Sequence, residues 1–312
     1  MTTEIRASVV VCTYNPRPDY FERTLAALEA QRYPRDRWEL IIIDNASDVP
    51  LESRLSLAWH PQGRIVRENQ PGTGYARVRG MRESRGDIII FCDDDNLLQA
   101  DYVQRAVEIG DAWPMLGIWG GENLPEFEVK PEPWTEEFWG LMAIRRLERD
   151  VWSNCWDQFE TVPHGAGMCF RHSVADYYLA QAALNSKWIT VGRTGTGLAG
   201  GVEDGVLAMC TFAMNMGSGM FRSLQLTHLI PARRMEEAYL LRLIESLAYS
   251  SICLRHLHHR PIPQQGSRVD RLVHWYKVWR SSPRNHRIDA ARRRGIKAAW
   301  ADLGLTGSPR LW

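Results

Sequence analysis

The sequence predicts an α/β protein with a Rossmann-like, mostly parallel sheet flanked by helices and a helical C-terminal extension. Apolar strand-like runs alternate with helix-like patterns along the first hundred residues. Polar residues follow directly on three of these runs, as expected where parallel strands end at one edge of a sheet. The 312 residues are 45% hydrophobic and 24% charged, the balance of an ordinary globular protein.

The first part of the chain contains four candidate strands. They are residues 7–12, 38–44, 64–68 and 87–92. The first, second and fourth contain continuous apolar runs, typical of strands buried on both faces of a parallel sheet. Between them lie helical patterns, one with Phe21, Leu25 and Leu28 on one side, a short one after Pro50, and one over residues 75–84. Strands separated by helices favour right-handed βαβ units.

The middle of the chain is less regular. Residues 113–163 contain six of the 13 tryptophans and several prolines, which predicts loops and short helices over one face of the sheet. These rings either fill a core or line a pocket. Further elements are predicted as strands at 165–170 and 220–229 and helices at 174–184, 204–213 and 236–257, with a glycine loop over 192–201.

The C-terminal tail is basic and amphipathic. From residue 268 onwards there are 11 Lys or Arg against 3 Asp, a charge of +8, whereas residues 1–267 carry −7. Val269, Leu272, Val273, Tyr276 and Trp279 recur at helical spacing beside basic side chains. This pattern fits a helix at an anionic membrane surface, and a packed helix or a dimer contact explains it equally well. Since no nucleic-acid-binding motif accompanies the charge, nucleic acid is not an expected partner.

Cysteine spacing and hydropathy indicate the cellular compartment in which the protein is expected. The six cysteines are scattered without a C-x-x-C pair, which argues against zinc and redox motifs and favours a reducing compartment. The N-terminus has no secretory signal pattern, and nowhere do about 18 apolar residues run together. We therefore expect a cytoplasmic protein, at the inner face of the membrane where the tail attaches.

Three adjacent carboxylates give the strongest chemical signal. Asp93, Asp94 and Asp95 follow an apolar strand and precede Asn96. Adjacent carboxylates repel one another, so they need a cation or several hydrogen-bond donors nearby. Oxygen ligands of this kind suit Mg²⁺ or Mn²⁺, which can bridge to a diphosphate. An Asp-rich turn that caps the next helix is the structural alternative.

Two further segments are candidates for the site. Glu203 and Asp204 follow the glycine loop, where a carboxylate can act as a general base on a substrate that the loop covers. Both acids also simply favour a helix N-terminus. The GTGYARVRG segment, residues 72–80, matches neither nucleotide-binding glycine pattern. Of its arginines and Arg82, at least one is expected to face a diphosphate.

In chain order, five motifs resemble family 2 glycosyltransferases with the GT-A fold: VVVCTYN, IIIDNAS, ENQPGTGYARVRG, DDDN and GGVED. The segment THLIP, residues 227–231, also resembles one frequent in bacterial members. The likeness covers about residues 7–230. It implies a catalytic domain over residues 1–235, with a nucleotide half of about 1–112 and an acceptor half of about 113–235. Residues 236–312 form the extension.

The resemblance implies an inverting, hexosyltransferase-like enzyme. Its donor would be a nucleotide-diphosphate-sugar, with UDP the family's commonest nucleotide. Its acceptor would be a glycan or lipid-linked hydroxyl in cell-surface polysaccharide or glycolipid synthesis. Asp204 would be the general base, and Mn²⁺ or Mg²⁺ would bind Asp95 of the D-x-D pattern, with His228 a further contact. The implied donor contacts are Thr13, Tyr14, Asn15, Asp44, Arg79, Asp93, Asp94 and Glu203.

Two other functions stay open at this point. A sugar nucleotidyltransferase shares a similar sheet and metal carboxylates, but it requires a G-x-G-T-R-like loop after the first strand, where this chain has TYNPRP. A noncatalytic nucleotide-sugar-binding protein predicts binding without turnover, against which the presence of both Asp95 and Asp204 argues. One departure from the family concerns the third motif, which lacks the usual Asn and has Gly80 after Arg79.

Overall fold

The computed structural model describes residues 4–190, 203–262 and 268–306. In these ranges nine strands form one mixed sheet with helices on both faces. The strands are β1 (Ala7–Thr13), β2 (Trp38–Asn45), β3 (Gly63–Glu68), β4 (Ile88–Asp93), β5 (Asn96–Leu98), β6 (Leu116–Phe127), β7 (Val151–Ser153), β8 (Cys169–Arg171) and β9 (Gly217–Ile230). The predicted α/β class, with a mostly parallel sheet flanked by helices and a helical C-terminal region, is confirmed.

Six of the described helices lie close to predicted positions. The helices are α1 (Pro18–Glu29), α2 (Thr73–Glu83), α3 (Tyr102–Ala112), α4 (His172–Leu184), α5 (Lys187–Thr190), α6 (Glu203–Ala213), α7 (Glu237–Leu257), α8 (Arg268–Trp279) and α9 (Pro283–Asp302). Of these, α3, α5 and α9 were not predicted. Short 3₁₀ turns cover Leu51–Ser53, Pro133–Met142, Phe159–Thr161 and Ala232–Met235. Within the described ranges, no helix is long and apolar enough to cross a membrane.

The N-terminal half of the sheet is parallel. Its strands run in the order β3-β2-β1-β4, and Val9 of β1 lies opposite Leu40 of β2 and Ile90 of β4. Successive residues alternate between two cores, since Val9 belongs to one apolar cluster and Val10 to the other. Helix α2 packs directly on β1, because a Cβ at Gly80 would lie 2.4 Å from Cγ1 of Val10.

The second half of the sheet corrects one expectation. Residues 113–163 were expected to form loops and short helices, but β6 is a twelve-residue strand within that segment. It pairs with β8 and runs parallel to β9, with a register shift between Gly121 and Glu122. A Cβ at Gly121 would lie 1.9 Å from the carbonyl oxygen of Leu224. Glycine is therefore required there, and it interrupts the apolar pattern by which strands are recognised.

The C-terminal helices pack against the end of the sheet. Helix α7 lies along α9, and a Cβ at Gly295 would approach the carbonyl oxygen of Glu245 to 2.1 Å. Leu240 and Ile244 of α7 share an apolar cluster with Ile230 at the end of β9. As a result, α7 lies beside the carboxyl ends of the central strands.

Candidate active site

A cleft of about 580 Å³ opens at the carboxyl ends of β1 and β4. In parallel sheets, ligands bind at this edge, at the point where the strand order reverses. Thr13 ends β1, Asp93 ends β4 with Asp94 and Asp95 directly after it, and Asp204 of α6 lines the cleft together with them. The structure thus brings most of the predicted polar residues to one opening.

The aspartate cluster at the end of β4 carries more negative charge than its surroundings compensate. Asp94 accepts a hydrogen bond from the Thr13 hydroxyl. Burial, together with the neighbouring charge of Asp95, raises the pKa of Asp94 to about 7. Asp93 is held by its backbone N–H, which donates to Oδ1 of Asn96 at 3.1 Å.

The carboxylate of Asp95 is bound by an arginine that the sequence did not identify. Nη2 of Arg234 lies 2.9 Å from Oδ2 of Asp95, and its Nη1 lies 2.8 Å from Nε2 of His228. Since a guanidinium only donates, Nε2 of His228 accepts this hydrogen bond. Burial opposes the charge on Arg234, but the neighbouring acidic groups, Asp95 foremost, together outweigh burial and keep the pKa of Arg234 above its ordinary value.

The sheet holds this cluster in place. β5 pairs with β9 so that Asn96 lies opposite His228, and the N–H of Leu229 donates to the carbonyl oxygen of Asp95 at 2.9 Å. His228 Nε2 consequently lies 3.5 Å from Oδ1 of Asp95. The two predicted metal ligands are therefore neighbours.

The donor chemistry of this cluster fits a divalent cation. Carboxylate oxygens are the protein ligands that suit Mn²⁺ and Mg²⁺. In the described ranges, however, no three His, Cys, Asp or Glu side chains converge on one point. The positive charge placed against Asp95 and His228 is that of Arg234. A cation bound there would thus share its ligands with the guanidinium.

A second carboxylate–arginine cluster lines the cleft at the start of α6. Oδ1 of Asp204 lies 3.0 Å from Nη1 of Arg77, and Oδ2 accepts the N–H of Gly165 at 2.7 Å. Arg77 is 6% exposed, stacks over the Phe91 ring at 5.0 Å and lies 3.9 Å from Oδ1 of Asp93. A Cβ at Gly165 would lie 2.2 Å from Nη2 of Arg77. The guanidinium therefore links the two clusters across a tightly fitted backbone.

Arg79 corrects a second expectation. It was expected to approach the donor, but it does not line the cleft, and its Nη2 pairs with Glu83 at 2.9 Å. Two residues along an α-helix rotate a side chain by about 200°, so Arg77 and Arg79 point to opposite sides. The signal for Arg77 was its spacing of three from Gly74 and from Gly80, which share the buried face of α2.

Two predicted nucleotide contacts lie beside the cleft and not in its lining. Asp44 is buried and accepts the N–H groups of Ser47 and Leu51 and Nη1 of Arg67. Burial raises the pKa of Asp44, but these hydrogen bonds outweigh it and keep the pKa below its ordinary value. Asn15, with φ of 45°, exchanges hydrogen bonds with Asp48.

Of the remaining predicted residues, one lines the cleft and the other has its side chain outside the described residues. Tyr14 lines the cleft and is 59% exposed. Glu203 is the first residue of α6, but its side chain lies outside the described residues, as does the glycine loop at 192–201.

The sequence analysis did not identify several residues that line the cleft. These are Arg234, His164 and residues of α7 that include Tyr239 and Arg242. Burial and the nearby Arg145 lower the pKa of His164 to about 3, so its ring is neutral. None of these residues lies in a recognisable motif, and long-range packing alone brings them to the site.

Comparison with known proteins supports a functional reading of this cleft. The profile of glycosyl transferase family 2 matches residues 8–170, just over half of the chain. A glucosyl-dolichyl phosphate glucuronosyltransferase of Haloferax volcanii is 28% identical over 144 residues, which cover 45% of each protein. The chain thus spans less than half the length of this relative.

Two solved structures share the fold. One is the mannosyltransferase PcManGT from Pyrobaculum calidifontis in complex with GDP-Man and Mn²⁺, with a TM-score of 0.54 and 20% identity, covering 98% of this chain and 77% of that one. The other is S. aureus TarS 1–349 in complex with UDP-GlcNAc, with a TM-score of 0.50 and 11% identity, covering 95% and 73%. At these identities the likeness shows the fold.

Proposed function

The chain belongs to glycosyl transferase family 2, and from that premise we propose that it transfers a sugar from a nucleotide-diphosphate-sugar, a UDP-sugar in the first instance, to an acceptor hydroxyl with inversion. The observation that carries this proposal is the pairing of two carboxylate clusters in one cleft. The aspartates after β4 face the donor, and Asp204 faces the acceptor. Arg77 lies between them, 3.0 Å from Asp204 and 3.9 Å from Asp93.

The nucleotide binds at the ends of β1 and β2 in this proposal. Thr13, Tyr14 and Asn45 line the cleft there. Asp94 contacts the ribose or the sugar, and the guanidinium groups of Arg77 and Arg234 offer positive charge to the phosphates. Asp44 and Asn15, which already hold the adjoining loop through hydrogen bonds, support this part of the cleft.

Asp95 and His228, with Asp93 beside them, would hold a divalent cation, Mn²⁺ or Mg²⁺. When bound, the cation supplies positive charge that stabilises the departing diphosphate. The complex of PcManGT with GDP-Man and Mn²⁺ supports a cation in an enzyme of this fold.

Asp204 removes the acceptor proton. The Gly165 N–H and Arg77 each hold one of its carboxylate oxygens, which fixes the plane of the carboxylate toward the cleft. The hydroxyl proton passes to Asp204 as the acceptor oxygen bonds to the anomeric carbon. The bond from that carbon to the diphosphate breaks on the opposite face, which gives inversion. A positioned base of this kind accelerates transfer by about 10²-fold to 10⁴-fold.

We retain the division into a catalytic domain, residues 1–235, and an extension, residues 236–312. Helix α7 of the extension lines the cleft through Tyr239, Arg242 and Leu243. The extension therefore contributes to substrate binding in this proposal. The acceptor is a glycan or lipid-linked hydroxyl in cell-surface polysaccharide or glycolipid synthesis, a class supported by the name of the Haloferax volcanii relative.

Helix α8 supports a peripheral membrane contact at the cytoplasmic face. Its apolar side chains are largely exposed, with Leu272 at 65%, Trp275 at 62% and Trp279 at 65%. Trp275 and Trp279 stack 6.2 Å apart on one side of the helix. Flotation with anionic liposomes tests this contact. Full-length protein should float and a chain ending near Gln265 should not, and equal behaviour of both would overturn the contact.

The donor is tested by a thermal-shift panel of UDP, GDP, dTDP and CDP, each with Mn²⁺, Mg²⁺ or EDTA. A ligand at 100 times its dissociation constant adds about 2.7 kcal/mol of stability, which is readily seen as a rise in Tm. We expect one diphosphate to stabilise the wild type with metal, and to fail with Asp95→Ala. If none of the four shifts the Tm, the donor assignment falls. Pyrophosphate release from a nucleoside triphosphate and a sugar phosphate would instead identify a nucleotidyltransferase.

A further inference from the structure

A second pocket of about 720 Å³ adjoins the cleft, and α7 forms a wall of both. Its lining is largely apolar. Phe138 enters from the 3₁₀ turn Pro133–Met142, Met209 from α6, Ile244 and Ile252 from α7, and Ile296 from α9. All five are buried side chains.

The pocket also carries uncompensated positive charge. Arg255, Arg260 and Arg292 line it, and within the described ranges none of the three forms an ion pair with an acidic side chain. Glu137 is the one acidic residue among the described lining. The guanidinium groups of Arg255 and Arg260 lie 5.7 Å and 4.8 Å from the Trp156 ring.

Three arginines of α9 that do not line the pocket are paired. Arg284 and Arg287 bind Glu237 at 3.3 Å and 2.5 Å, and Arg294 binds Glu245 at 2.6 Å. The arginines that border the apolar pocket differ from these three in lacking an acidic partner among the described residues. A ligand with an anionic group complements that charge.

The pocket shares part of its wall with the cleft. Leu141 and Leu247 line both. Met209 and Asp204 lie five residues apart on α6, one in the pocket and the other in the cleft. The two openings are therefore neighbours along α6 and α7.

We propose that this pocket binds the acceptor as an amphiphile, with an apolar chain against Phe138, Ile244 and Ile252 and a phosphate group against Arg255, Arg260 and Arg292. This inference rests on the proposed function and names the substrate class of that site. The acceptor hydroxyl reaches the cleft, gives its proton to Asp204 and bonds to the anomeric carbon. The bond to the donor diphosphate breaks, and its electron pair leaves with the nucleoside diphosphate.

Isothermal titration calorimetry of the full chain tests the ligand class with three probes: dodecyl phosphate, dodecyl maltoside and inorganic phosphate, the two amphiphiles below their critical micelle concentrations. Dodecyl phosphate should bind at least tenfold more tightly than the neutral maltoside. Inorganic phosphate should show no saturation in the millimolar range. Equal affinity for the two amphiphiles would overturn the role of the arginines, and saturable binding of inorganic phosphate would show a site for free phosphate.

Two double variants test whether the pocket arginines bind the ligand by their position or only through the net charge of the protein. Arg255→Gln with Arg260→Gln should weaken dodecyl phosphate binding by at least tenfold. The matched pair Arg287→Gln and Arg294→Gln removes the same charge from paired positions and should leave the affinity within twofold. An equal loss in both double variants would overturn the proposal.

A steric variant tests the apolar part of the pocket. Ser251 is exposed and lines the pocket, so Ser251→Trp should fill it without disturbing the fold. This variant should lose dodecyl phosphate binding and keep the Tm shift with a nucleoside diphosphate. Retained amphiphile binding would overturn the pocket assignment. Absence of nucleoside diphosphate binding in the wild type would instead overturn the proposed function, and with it the acceptor role of the pocket.

Discussion

The two carboxylate clusters of the cleft use the same residue types with different charge balance. At the end of β4, three aspartates meet Arg234 and share Arg77 with Asp204, so negative charge exceeds positive. At the start of α6, one carboxylate meets one guanidinium and one backbone N–H. The first cluster therefore gains from an added cation, whereas the second is already neutralised. Charge balance, more than residue type, therefore distinguishes the two sides of the cleft.

The clusters also differ in how they are held. Sheet register fixes the first, because β5 pairs with β9 and places Asn96 opposite His228. Close packing fixes the second, because the space between Gly165 and Arg77 admits no Cβ. The aspartate cluster at β4 thus depends on strand pairing, and the Asp204 cluster depends on the approach of α2 and α6 to one loop.

The largest effect is expected from Asp204→Asn. The variant removes the base and keeps the shape of the side chain, so turnover should fall by about 10²-fold or more. Donor binding should change little, because the aspartates after β4 are untouched. The measurement is kcat with the donor that the thermal-shift panel identifies. Asp176→Asn, at an exposed position on α4, is the control, and wild-type turnover in Asp204→Asn would remove the base assignment.

A smaller loss is expected from Arg77→Met. Loss of a buried charge-assisted pair costs about 1.5 to 3 kcal/mol, so turnover should fall roughly tenfold to a hundredfold. Arg79→Met is the matched control on the same helix and should stay within about twofold, since Arg79 faces Glu83. If Arg79→Met shows the larger loss instead, the donor-contact role implied for Arg79 by the family resemblance is the correct one.

The two sides should respond differently to metal. Arg234→Gln removes a positive charge 2.9 Å from Asp95, so the affinity for Mn²⁺ should rise at least about threefold. Arg77→Gln changes the cluster around Asp204 and should alter Mn²⁺ affinity less. Calorimetric titration of both variants measures the difference. A weaker affinity in Arg234→Gln would show that the arginine does not compete with the cation.

The smallest expected effect is the contribution of His164 to the pH dependence of stability. The folded pKa of His164, about 3, lies below the ordinary value of 6.5 because the ring is buried. Protons then bind the unfolded state preferentially, so stability is lost as pH falls from about 6.5 toward 3. Solvent in the cleft limits this contribution to roughly 1 to 2 kcal/mol.

His164→Gln should flatten the pH dependence of unfolding in that window. Urea unfolding at pH 7 and pH 5 measures it, with His256→Gln at an exposed position of α7 as the control. An unchanged slope in His164→Gln would show that the ring takes up its proton in the folded state as well.

Local sequence determined the elements whose signal lies within a few residues. The apolar runs of β1, β2 and β4 and the helices α2, α4 and α7 appear close to their predicted positions. The polar ends of β1 and β4 also meet at one cleft, because parallel strands end at the same edge. These features follow from side-chain periodicity, which each segment carries by itself.

Only the tertiary structure decided which side chains face one another. Whether Arg77 or Arg79 enters the cleft depends on the rotation of α2, which Gly80 sets by its contact with Val10. β6 is a strand because distant β8 and β9 pair with it across a glycine-containing irregularity. Arg234 reaches Asp95 across 139 positions of sequence. Such contacts are made between segments, so no single segment of the sequence encodes them.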